Sequence, residues 1–92
     1  MKHNSYFAGK VQSLGVNTPA GYATVGVIEP GQYTFATDAE EQMMVIAGTM
    51  QVRLPGGSWQ QIGKDETFVV PSHASFDVDV PVDVAYICYY AK

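Results

Sequence analysis

Positive charge is scarce in this chain: five Lys and Arg stand against nine Asp and Glu, for a formal charge of −4. That balance excludes a nucleic acid polymer as partner, which would want a basic stripe, but leaves room for a small anion held in a local pocket. There is one cysteine, Cys88, so no internal disulfide can form, and a reducing compartment fits. No apolar run approaches the ~20 residues that span a bilayer. The first residues, Met1-Lys-His-Asn-Ser-Tyr-Phe-Ala-Gly, lack an apolar leader core. The expectation is a soluble, cytoplasmic protein with no membrane partner. Also missing are any sustained helical period, an internal repeat and a low-complexity tract.

What is present is short alternation broken by turns. The 92 residues are 47% hydrophobic, which predicts one domain over 1–92. A barrel so small leaves apolar surface uncovered, and a homodimer would cover it. The organising stretch runs from Glu41 to Phe76. Pro55-Gly56-Gly57 is a hairpin turn between two alternating segments, and Gly63 and Pro71 bracket the next strand. Earlier segments read as strands over 6–12, 22–28 and 32–37, with a polar loop over 17–21 and a turn at Glu29-Pro30-Gly31. Later ones run over 74–80 and 84–90. Phe76, Val78 and Val80 share one face there, Asp77 and Asp79 share the other, and Tyr86, Cys88 and Tyr90 fall together. Eight or nine short strands in so small a chain predict an all-β barrel or double-sheet jelly roll.

The spacing resembles a cupin, a small double-stranded β-barrel. Cupins place His-x-His, then Glu, then Gly after a first Gly; here Gly31 is followed by Thr37 and Ala39 at the histidine offsets, with Glu41 and Gly48 retained. In the second cupin motif Asp65 stands at the first Gly, Pro71 is kept, His73 replaces the second Gly and Phe76 takes the third His. Scaffold positions survive and metal ligands do not. Glu41 alone, or with His73, supplies too few ligands for a closed site, so no metal is expected.

A narrower resemblance covers nearly the whole chain in order: Tyr6-Phe-x-Gly-Lys-Val, Gly26-Val, Gly31-x-Tyr-Thr-Phe, Glu41-x-Met, Val45-Ile-x-Gly, Trp59, Phe68-x-Val-Pro-x-His-x-x-Phe and Tyr86-Ile-Cys-x-Tyr. This set is similar to the pyrimidine/purine nucleoside phosphorylase family of small metal-free cupins. The resemblance implies a homodimeric transferase of nucleoside metabolism. It would convert a broad range of nucleosides plus phosphate to free base and ribose 1-phosphate, reversibly and without a cofactor. One departure is Tyr89, where the family often has Arg.

Phosphorolysis proceeds through a transition state with oxocarbenium character. It needs donors or cations for phosphate, a proton or hydrogen bond for the departing base, and flat walls for the rings. Glu41, at the old ligand offset, is the candidate for the ribose hydroxyls or the positive sugar; the competing reading is a carboxylate of the polar 38–41 turn. His73, after Pro71, is the candidate proton donor or phosphate partner, against a loop histidine capping a carbonyl. Tyr33, Phe35, Phe76 and Tyr86 fall on inward phases and would sandwich a base, unless they are plain core. Thr37 is a candidate hydroxyl donor and Lys10 the favoured cation, while Arg53 reads as solvent-facing. Cys88 reads as a buried, inert thiol. A non-catalytic module binding a small metabolite, and a metal-dependent isomerase or dioxygenase, are the alternatives.

Overall fold

The computed structural model describes residues 1–91, which form ten strands and no helix. They are β1 (His3–Tyr6), β2 (Val11–Thr18), β3 (Gly21–Ile28), β4 (Gly31–Ala36), β5 (Glu41–Ala47), β6 (Met50–Arg53), β7 (Trp59–Ile62), β8 (Thr67–Val70), β9 (Ser75–Val80) and β10 (Val84–Tyr90). With no helix among the described residues, none is long and apolar enough to cross a membrane.

All pairings are antiparallel. A six-stranded sheet runs β1-β2-β3-β10-β5-β8 and faces a four-stranded sheet, β4-β9-β6-β7. This is the expected all-β jelly roll, with one correction: among the described residues no ladder joins the two sheets, so the barrel is not closed. The organising stretch is also divided. β5 and β8 pair in the larger sheet while β6, β7 and β9 belong to the smaller. Gly48 makes the crossing from β5 to β6. Its φ is +84°, and a Cβ there would lie 2.4 Å from the carbonyl oxygen of Asp83.

Two boundaries differ from the sequence reading. The strand expected over 6–12 is the hairpin joining β1 to β2. Its turn residues Phe7 and Ala8 have φ of +53° and +57°, and the Gly9 N–H donates to the Tyr6 carbonyl at 3.1 Å. Phe7 and Ala8 form a tight turn inside the four-residue loop 7–10 that joins the paired Tyr6 and Val11, and Asn-Gly is the usual pair at two such positive φ values. The loop expected over 17–21 shrinks to Pro19-Ala20. The Thr18 hydroxyl accepts from the Ala20 N–H at 3.1 Å and donates to the Gly21 carbonyl at 2.7 Å, closing the turn within the ladder.

Inward residues alternate as a period of two requires. Val45, Met50, Val52, Val70, Val78, Val80 and Val84 are each at most 2% exposed and fill part of the space between the sheets. Elsewhere that space is hollow.

Candidate functional site

A cavity of about 260 Å³ lies between the sheets, toward the β1–β2 turn. β10 contributes Tyr86, Cys88 and Tyr90, consecutive inward positions of one strand; β5 beside it contributes Glu41 and Met43. Register brings these together, for Tyr90 pairs with Glu41 and Cys88 with Met43. The facing sheet supplies Phe35 and Phe76, whose rings lie 5.6 Å apart, and Phe7 leans in edge-on at 5.6 Å from Phe35. The hollow persists because Tyr86 lies flat on the sheet. It is opposite Gly26, where an added Cβ would come within 2.6 Å of the ring's Cζ and hydroxyl.

One wall is polar. The Cys88 thiol donates to Glu41 Oε1 at 3.5 Å, and the hydroxyls of Tyr90 and Thr24 bond at 2.9 Å. Burial raises the Glu41 carboxyl above the ordinary range; the Cys88 hydrogen bond opposes that rise, and the negative charge of Asp38 adds to it. Burial pushes the Cys88 thiol up to about 12, with Glu41 adding to the shift, so it stays protonated at neutral pH. Burial likewise holds Tyr86 up to about 12, which keeps its hydroxyl available as a donor. Among the described residues no Lys, Arg or His lines the cavity.

Of the eight residues singled out from sequence, the fold brings Glu41, Phe35, Phe76 and Tyr86 to the cavity wall. Four stand elsewhere. The Tyr33 ring is buried in the core, its hydroxyl donating to the Glu29 carbonyl at 2.7 Å. The Thr37 hydroxyl donates to the Pro71 carbonyl at 2.7 Å and accepts from the Ala74 N–H at 3.0 Å, so it fastens the β8–β9 turn. His73 is exposed on that turn with φ of +53°, and Lys10 borders an open groove on the outer side of β2 and β3. None of the four lines the cavity.

Sequence reasoning passed over Phe7, Ser13, Cys88 and Tyr90 as wall residues. Alternation along β10 was the signal for Cys88 and Tyr90. Phe7 left none, because a non-glycine turn at positive φ reads as a continuing strand.

The cupin metal positions can now be tested against the fold. Thr37 is bonded to backbone, Phe76 is an aromatic wall, and among the described residues no three His, Cys, Asp or Glu side chains converge. These residues do not fit a metal ion.

Two facing antiparallel sheets around a partly polar hollow define a cupin-type jelly roll. The cupin domain of Schizosaccharomyces pombe Cnp3 has the same fold, with a TM-score of 0.68 at 12% identity over 99% of this chain and 69% of that one. The sequence model described as "Pyrimidine/purine nucleoside phosphorylase" matches residues 1–90. A protein of that name from Yersinia enterocolitica is 44% identical over 92 residues, covering 98% of this chain and 97% of its own. A crystal structure from Vibrio parahaemolyticus, titled as of unknown function, superimposes with a TM-score of 0.93 at 43% identity, over 98% of this chain and 97% of that one. The chain belongs to the pyrimidine/purine nucleoside phosphorylase family.

Proposed function

We propose that the chain is a nucleoside phosphorylase of broad specificity. It takes purine and pyrimidine nucleosides with inorganic phosphate to free base and ribose 1-phosphate, reversibly and without metal or other cofactor. The observation that carries this reading is Glu41, the one carboxylate that the described residues place on the wall of an aromatic cavity. A phosphate oxygen forms the new bond to C1′ while the C1′–N bond breaks and its electron pair leaves with the base. Positive charge develops on the sugar, and an ionised Glu41 stabilises it in a site of low dielectric.

Phe35 and Phe76 supply flat walls that any base can lie against, which suits breadth, and the neutral Tyr86 hydroxyl supplies a hydrogen bond to the departing base. The donor role considered for His73 and the phosphate role considered for Lys10 drop out of this reading, because both side chains stand outside the cavity. Phosphate takes its donors from backbone N–H groups or from a partner chain.

The partner in this reading is a second copy. The outer face of the six-stranded sheet exposes Leu14 and Val16 on β2, Val25 and Val27 on β3 beside it, and Ile46 and Val69 on β5 and β8 beyond β10. Such a patch marks an interface, and mass measurement in solution should return a dimer. The single reduced-type cysteine supports a cytoplasmic location.

Purified protein incubated with inosine or uridine should release free base only when phosphate is present. No base at ample enzyme would remove the proposal. The lack of a Lys, Arg or His among the described residues that line the cavity favours one second reading, a module that binds a small metabolite without turnover; nucleoside binding with no product would establish that instead.

A further inference from the structure

We propose that Cys88 is a positioning residue that holds the Glu41 carboxylate ionised and aimed into the cavity, with Tyr90, fastened to Thr24, as the neighbour that keeps the cluster in place. The proposal rests on the phosphorylase reading for its catalytic meaning, but not for its geometry.

The arrangement follows from register. Cys88 pairs with Thr24 of β3 on one side and with Met43 of β5 on the other, and Glu41 stands one inward position further along β5, opposite Tyr90. The Cys88 thiol donates to Glu41 Oε1 at 3.5 Å, and the Tyr90 hydroxyl beside it is fixed by Thr24 at 2.9 Å. Tyr90 is the cross-strand partner of Glu41. A thiol is a weak donor, strongest toward an ionised acceptor.

Cys88 is 2% exposed, and its surroundings raise rather than lower its pKa, so it has no nucleophilic role. What it can do is remain protonated. The groups facing Glu41 are Asp38 from the preceding turn and Tyr86, Cys88 and Tyr90 from β10; β8, on the other side, presents the apolar Val70 at the paired position. Burial and Asp38 both favour the neutral acid, and the Cys88 thiol is the group that opposes them. A transition state with positive charge on the sugar needs the ionised form. Without the thiol, a larger share of Glu41 would be protonated and ineffective.

Two measurements test this. In the pH profile of kcat/KM, Cys88→Ala should move the acid limb upward by about half to one pH unit. Cys88→Ser, which keeps a donor, should move it back toward the wild-type position, and Tyr90→Phe should give a smaller upward shift. Independently of turnover, the side-chain carboxyl resonance of Glu41, followed by ¹³C NMR against pH, should titrate higher in Cys88→Ala than in the wild type. An unchanged Glu41 titration overturns the proposal whether or not the enzyme is active. An upward titration shift in a protein that makes no product would retain the role of Cys88 and remove the phosphorylase reading. If Cys88→Ala does not fold, Cys88→Val, which fills the space without a donor, carries the same two readouts, and an unshifted Glu41 there overturns the proposal.

Discussion

Part of each face of the six-stranded sheet departs from its usual character. An antiparallel sheet with one packed face ordinarily turns apolar residues inward and polar ones to water. Here the inner face around the cavity carries Glu41, Cys88, Tyr86, Tyr90, Ser13 and Thr24. The outer face carries Leu14, Val25, Ile87 and Met44 in one continuous cross-strand row. Leu14 is 46% exposed, Val25 42% and Val27 51%. Each departure has its own physical reading. Polar groups between sheets cost stability unless something polar is to bind there, and a flat aliphatic face in water is costly unless another surface covers it.

The largest effect should come from the inner face. Replacing Glu41 by Ala or Gln removes the charge aimed at the sugar and should lower kcat/KM about 100-fold or more, with KM for phosphate little changed. Steady-state kinetics on inosine and uridine check this. If both substrates keep wild-type rates, the cavity is not where the chemistry happens. Next comes the outer face. Val25→Asp places a charge in the middle of the aliphatic row and should weaken self-association by about 3 kcal/mol, roughly a hundredfold, read by sedimentation or light scattering. A chain that is monomeric before substitution would mean that the outer face has some other cover.

How far the sequence reached can be judged on these same faces. Alternation alone put Phe76, Val78 and Val80 inward and Asp77 and Asp79 outward, because a period of two leaves a strand no other choice once one face is apolar. The same logic found Tyr86 for the cavity, while Glu41 came from its place at the old cupin ligand offset. It failed at Thr37 and Tyr33, which have the right inward phase, because phase does not say whether a hydroxyl finds a carbonyl first. It failed at Phe7 because positive φ at two non-glycine residues is imposed by the hairpin twist and not by local propensity. That β2 and β3 present an apolar outer face through Leu14, Val16, Val25 and Val27 emerged only with the fold.

Intermediate effects separate hollow from scaffold. Gly26→Ala would drive a methyl against the Tyr86 ring and the Gln12 carbonyl, the latter 2.8 Å from the added Cβ. Tyr86 must then lift into the cavity, so KM for nucleosides should rise several-fold, with a stability loss of about 1–3 kcal/mol. Thr37→Val should do the converse. It strands the Ala74 N–H and the Pro71 carbonyl of the β8–β9 turn, costing about 1–3 kcal/mol in thermal unfolding while kcat/KM of the folded enzyme holds. A selective loss of activity in Thr37→Val would return that hydroxyl to the substrate.

The smallest effect sets Glu41 against Asp77, a carboxylate on the outer face of the other sheet. Asp77 is bonded by Arg53 at 2.7 Å and by Thr34 at 2.8 Å, and the Arg53 bond, followed by that of Thr34, holds its carboxyl below the ordinary range. A depressed carboxylate contributes stability above its unfolded pKa that is lost as pH falls through the folded value. Glu41 runs the other way. Its folded form binds a proton more tightly than the unfolded chain does, so stability declines as pH rises from the ordinary carboxylate value through the raised one. Glu41→Gln should therefore flatten that decline and leave the melting temperature at neutral pH equal to or above the wild type. Asp77→Asn should leave neutral melting almost unmoved, since exposed pairs contribute little, and should soften only the acid limb. Melting curves across the carboxylate range decide it. A lower neutral melting temperature for Glu41→Gln would mean that the buried charge stabilises the fold, and the inner face would lose its claim to be a site held at some cost for a ligand.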